Sequence, residues 1–135
     1  MKKRIIPPGA NQTKESYNRT AENFKERFEN YQPYRKSVEK FISILPAKCH
    51  ILDVGCGPGI NARRFIEHGY RVTGIDYTTE MIKIAKASCR GGTFLVADLN
   101  DINLRAKYNA ICASFVIVHL SDEETNQFLE KLLIC

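Results

Sequence analysis

Four short apolar runs, 49–54, 71–75, 93–97 and 108–114, alternate with stretches of helical pattern, and that alternation leaves few folds open. Strands that alternate with helices pair in parallel, because each crossover returns the chain to the same end of the sheet and lays a helix on one of its faces. The helical stretches are 61–68, stopped by Gly69, then Thr79 to Ser88, stopped by Gly91 and Gly92, and a last one that opens at Ser121. There Ser121 and Glu124 make an S-x-x-E capping box, with Phe128, Leu129, Leu132 and Leu133 on the apolar side that follows. The expected fold class is α/β, a doubly wound parallel sheet.

Before Pro46 the rhythm is different. Tyr17, Ala21, Phe24, Phe28 and Tyr31 recur at helical spacing until Pro33, and Val38, Phe41, Ile42 and Leu45 repeat the pattern until Pro46. Residues 1–46 are therefore expected to form an N-terminal helical cap segment, and 47–135 the α/β core. The net charge of +5 resides in residues 1–45, where ten Lys and Arg face five Glu. Glu is interleaved throughout that segment, which reads as a solvated helix face rather than a nucleic-acid surface. The N-terminus carries basic residues without an apolar segment behind them, and no run is long enough to cross a membrane, so the expected location is cytoplasmic. Five cysteines occur without a C-x-x-C pair or histidines at metal-ligand spacing, so they read as free thiols and no metal is expected.

Chemistry concentrates in ILDVGCGPG, Ile51 to Gly59, at the first strand-to-helix turn. Ligands of doubly wound sheets bind beyond the carboxyl ends of the strands, and backbone N–H groups at such a turn converge on negative charge, helped by the helix dipole. Asp76 ends the second run about twenty residues after Gly55, where a carboxylate can accept hydrogen bonds from both ribose hydroxyls. Asp98 ends the third run, where a carboxylate can accept from an adenine amine, or cap the turn that follows. Asp53 immediately precedes the glycines, where its charge would repel a pyrophosphate. The residue in the third position of a G-x-G-x-x-G fingerprint is Ile60, and the glycines run G-x-G-x-G instead.

Taken together, ILDVGCGPG, GIDYT, VADL and YNAICASFVIVHL, in that order and spacing, closely resemble the class I S-adenosylmethionine-dependent methyltransferases, and especially their small-molecule subfamilies. The resemblance runs from about Tyr17 to the end of the chain and implies a Rossmann-like sheet of strand order 3-2-1-4. It implies S-adenosyl-L-methionine as cofactor, with Gly55, Cys56, Gly57 and Gly59 forming the loop against its carboxypropyl arm and Asp53 the acid that meets its ammonium. Asp76 resembles the ribose-binding acid, with Tyr77 and Met81 beside the adenine, although Met81 also reads as plain core. Asp98 and the Leu99 backbone resemble the adenine reader, and Ser114 and Phe115 match the segment nearest the sulfonium. Tyr17 and Tyr31 resemble aromatics that close over the ligand, with core packing the other reading.

The implied reaction is methyl transfer to a small-molecule acceptor, which asks mainly for approximation and orientation. No residue declares itself catalytic. His119 is the candidate general base, a structural role being the alternative. Family members continue past the helix at Ser121 into a glycine-rich turn and three more strands, so the resemblance implies a C-terminally shortened core. Its fourth strand would be an apolar edge open to a second copy or a partner chain. A non-catalytic S-adenosylmethionine-binding subunit and, less favoured by Asp53 and Ile60, a nicotinamide oxidoreductase are the alternative functions.

Overall fold

The computed structural model describes residues 32–98, 108–114 and 121–133. The aromatic stripe from Tyr17 to Tyr31, together with Leu99, Phe115 and His119, lies outside the described residues. In chain order the elements are α1 (Gln32–Ile44), β1 (His50–Val54), α2 (Ile60–Glu67), β2 (Arg71–Asp76), α3 (Thr79–Ser88), β3 (Thr93–Val96), β4 (Ala110–Cys112) and α4 (Asp122–Leu133). All strand pairs are parallel, and the order across the sheet is β3-β2-β1-β4. The expected Rossmann-like, doubly wound arrangement is therefore present.

Register decides which residues share a face. Ile51 pairs with Val72 and Ala110, and Gly74 with Phe94, so these residues look toward one side. There Val38 of α1, Ala62 and Phe65 of α2, and Ile82 and Ala85 of α3 complete the larger core cluster. Phe41 of α1 meets Phe65 with ring centroids 5.6 Å apart, a separation within the attractive range for tilted aromatic pairs. Pro33 occupies the first turn of α1, where a missing N–H leaves no helical bond unmade. On the opposite face Leu52, Val54 and Ile75 form a smaller cluster closed by Phe128 of α4. The capping box at the start of α4 is reciprocal: Ser121 N donates to Glu124 Oε2 at 2.9 Å and Glu124 N to Ser121 Oγ at 3.3 Å.

The fourth strand is shorter than its apolar run. Residues 108–114 read as strand, but only Ala110–Cys112 pair. The physical reason lies just before it: Asn109 closes a loop onto His50, accepting from His50 N through Oδ1 at 2.7 Å and donating its own N–H to His50 O at 2.8 Å. Tyr108 is thereby turned against the His50 ring, at a centroid distance of 4.7 Å.

Candidate functional site

The carboxyl ends of β1, β2 and β4 meet at the glycine turn. Gly55, Gly57 and Gly59 all have positive φ, at 67°, 53° and 87°, a region that side chains with a Cβ rarely enter. Gly59 is also a packing position. A Cβ there would lie 2.7 Å from Cys89 Sγ and 3.3 Å from Ala85 Cα, so the glycine lets the start of α2 press against α3. Cys89 Sγ closes that contact by donating to Gly59 O at 3.2 Å.

The turn differs from an anion cradle in how its donors are used. Cys56 N donates to Ile75 O at 2.9 Å, and Gly59 N to Cys56 O at 3.1 Å. Gly57 N donates to Asp76 Oδ2 at 3.0 Å, while the other oxygen of Asp76 accepts from Thr78 N at 2.8 Å. Cys56 and Gly57 thus give their N–H groups to β2 and its terminal carboxylate, and Gly59 gives its own to the Cys56 carbonyl within the turn. Asp76 braces the loop through both of its carboxylate oxygens.

Asp53 departs from expectation. It is 1 % exposed, and burial first, the neighbouring Asp76 second, push its pKa up to about 8. Burial therefore disfavours the fixed negative charge the sequence suggests, and a cation placed beside the carboxyl would favour it. Its Oδ2 has no hydrogen-bond partner. The nearby thiols are inert: burial, then the carboxylates, raise Cys56 well above the usual thiol value and Cys112 to about 12, so neither supplies a thiolate nucleophile at neutral pH. The four described cysteines, Cys49, Cys56, Cys89 and Cys112, are all free and buried.

Of the other residues singled out from the sequence, Met81 is buried in α3, Tyr77 and Asp98 are partly exposed beyond the ends of β2 and β3, and Ser114 is partly exposed beyond β4. Two polar residues were missed. Asn61, in the first turn of α2 and 2 % exposed, donates through Nδ2 to Ser114 Oγ at 3.4 Å, and its Oδ1 has no partner. Thr78, fully buried after β2, likewise has a hydroxyl with no partner. The available signal was their position, polar residues within two places of Gly59 and of Asp76.

A family described as methyltransferase domain matches residues 51–134. This chain belongs to the methyltransferase-domain family. Among curated relatives, it is 30 % identical over 99 residues to the malonyl-[acyl-carrier protein] O-methyltransferase of Pectobacterium atrosepticum, a match covering 72 % of this chain and 38 % of that one. It spans about a third of the length of the first curated relatives it matches. Among solved structures, the magnesium protoporphyrin IX methyltransferase of Synechocystis PCC 6803 with bound SAM superposes with a TM-score of 0.70 at 20 % identity, covering 88 % of this chain and 67 % of that one. The DhpI–SAH complex superposes with a TM-score of 0.75 at 21 % identity, covering 90 % and 61 %. At such identities the two structures establish the shared fold, with the glycine turn of this methyltransferase-family chain at the carboxyl ends of the strands.

Proposed function

We propose that this chain binds S-adenosyl-L-methionine at the carboxyl ends of its strands and is the core of a methyltransferase acting on a small-molecule acceptor in the cytoplasm. The observation that carries the reading is the inverted donor count of the turn. The N–H groups of Cys56, Gly57 and Gly59 are engaged within the protein, while Asp53 Oδ2 is a buried acceptor without a donor. A pyrophosphate needs the opposite arrangement. An amino-acid ammonium brings the missing donors and a positive charge, so the residues present fit the methionine end of this cofactor and not the phosphates of a dinucleotide. Family membership and the bound ligands of structures sharing the fold point the same way.

In this reading Asp53 meets the ammonium, Asp76 accepts from the ribose hydroxyls, and Asp98 reads the adenine amine. Ser114, at the end of β4, borders the space where an acceptor would approach. When bound, the cofactor supplies a methyl group already activated on a sulfonium. The protein's own part is then to hold and orient, with water excluded by the buried floor of Asp53 and Asn61. No described helix is long and apolar enough to cross a membrane. We further propose that the edge of β4, one of the two outer strands of the described sheet, is a place where a second copy or a partner chain pairs.

The test is thermal unfolding with S-adenosylhomocysteine or NAD. A ligand at a hundred times its dissociation constant stabilises by about 2.7 kcal/mol, which raises the melting temperature by several degrees. S-adenosylhomocysteine is expected to do so and NAD to leave it unchanged; equal shifts, or one from NAD alone, overturn the reading.

A further inference from the structure

Two buried oxygen acceptors lie without donors at the base of the glycine turn, and they come from different elements. Asp53 Oδ2 belongs to the end of β1 and Asn61 Oδ1 to the first turn of α2. They share a neighbour. Cys112 is the register partner of Asp53 on β4; its Sγ lies 3.4 Å from Ser114 Oγ, the atom to which Asn61 Nδ2 donates. The amide group is planar, so fixing Nδ2 on Ser114 also fixes the direction in which Oδ1 points. An unpaired buried acceptor is unfavourable to folding, and two of them on elements that meet at the glycine turn call for a ligand rich in donors.

We propose that Asn61 Oδ1 and Asp53 Oδ2 together form a two-oxygen receptor for a primary ammonium, and that Asn61 is the residue that makes the site select ligands carrying one. The proposal rests on the reading of S-adenosylmethionine as cofactor and adds to it a determinant outside the glycine motif. A primary ammonium has three N–H donors, of which one carboxylate oxygen satisfies one. Asn61 supplies a second acceptor without a second buried charge, and Ser114 keeps that acceptor in place. The same network ties the first turn of α2 to the end of β4, so ligand selection at the amino-acid end is coupled to the strand end that borders the acceptor space.

The experiment compares two ligands on the intact chain by titration calorimetry at pH 8: S-adenosylhomocysteine and its desamino analogue, which keeps the nucleoside, thioether and carboxylate. In Asn61→Leu, close to asparagine in volume, affinity for S-adenosylhomocysteine is expected to fall by about tenfold or more, as for loss of a hydrogen bond to a charged group, while the desamino analogue changes by less than about threefold. A merely structural role would weaken both ligands alike, and that result overturns the proposal. Should the leucine variant not fold, Asn61→Asp decides. A second carboxylate beside the ammonium is expected to widen the preference for S-adenosylhomocysteine beyond the wild-type ratio, and an equal or smaller ratio overturns the proposal. A wild-type chain that binds neither ligand overturns the cofactor reading with it, whereas normal wild-type binding with unaltered ratios in the variants overturns only the role of Asn61.

Discussion

Asp53 sets the charge state of the site. Its ordinary value near 3.8 is raised to about 8 by burial and then by Asp76, so over that interval the folded chain holds a proton that the unfolded chain has lost. This reverses the behaviour of a carboxylate in an ion pair. The contribution to stability is complete below the unfolded value and is lost as pH rises toward the folded value, at up to about 1.4 kcal/mol per pH unit. The groups facing Asp53 do not offset the loss. Asp76 from β2 adds repulsion, the thiols of Cys56 and Cys112 stay protonated, and Asn61 is neutral. The ligand-free protein is therefore expected to melt at progressively lower temperature from about pH 5 to about pH 8, and Asp53→Asn to flatten that dependence. Parallel curves for the two proteins would show that Asp53 does not carry the proton.

Gly59 shows what local sequence can reveal and where it stops. A glycine closing G-x-G-x-G announces positive φ, and the structure gives it, but the contact with Cys89 and Ala85 joins segments far apart in the chain. The same division holds across the molecule. Thr79–Ser88 and the Ser121 capping box were legible because their signals are local: a capping pair three residues apart, or an apolar period with glycines beyond it. The engagement of Gly57 N–H by Asp76 spans 19 residues and the Asn61–Ser114 bond spans 53, so neither leaves a periodic trace. The motif marked the turn as the place to expect a ligand, but not which of its donors and acceptors the protein itself engages. For Gly59→Ala, a left-handed φ costs about 1–2 kcal/mol and overpacking adds about 1–3, so a loss of about 2–5 kcal/mol in chemical denaturation is expected. Adding Cys89→Ala should recover only part, because the Ala85 backbone and the φ of +87° remain. Full recovery in the double variant would mean that the sulfur overlap alone makes glycine necessary.

At the scale of the whole molecule the two sides of the sheet are unequal. One side carries α1, α2 and α3 over a continuous cluster that includes Val38, Ile51, Phe65, Val72, Ile82 and Phe94. The other is closed, among the described residues, by α4 through Phe128, while Leu129 beside it and Leu95 on β3 are about half exposed. Truncating a buried phenylalanine costs about 3–5 kcal/mol, a large part of the roughly 5–15 kcal/mol that holds a small domain together. Phe65 and Phe128 are equally buried, so the loss on truncation is similar in size, but its consequence should differ. Phe65 lies where α1, α2 and the sheet meet, and Phe65→Ala should lower protection against hydrogen exchange throughout β1, β2 and β3, because those strands open only with the larger cluster. Phe128→Ala should release α4 as a unit. Exchange is expected to accelerate across Asp122–Leu133 while the amides of β1 and β2 keep most of their protection, and the main denaturation transition should keep its midpoint better than in Phe65→Ala. Uniform loss of protection in both variants would instead show that the smaller cluster is an integral part of one cooperative core, and that α4 holds the sheet as firmly as the three helices opposite.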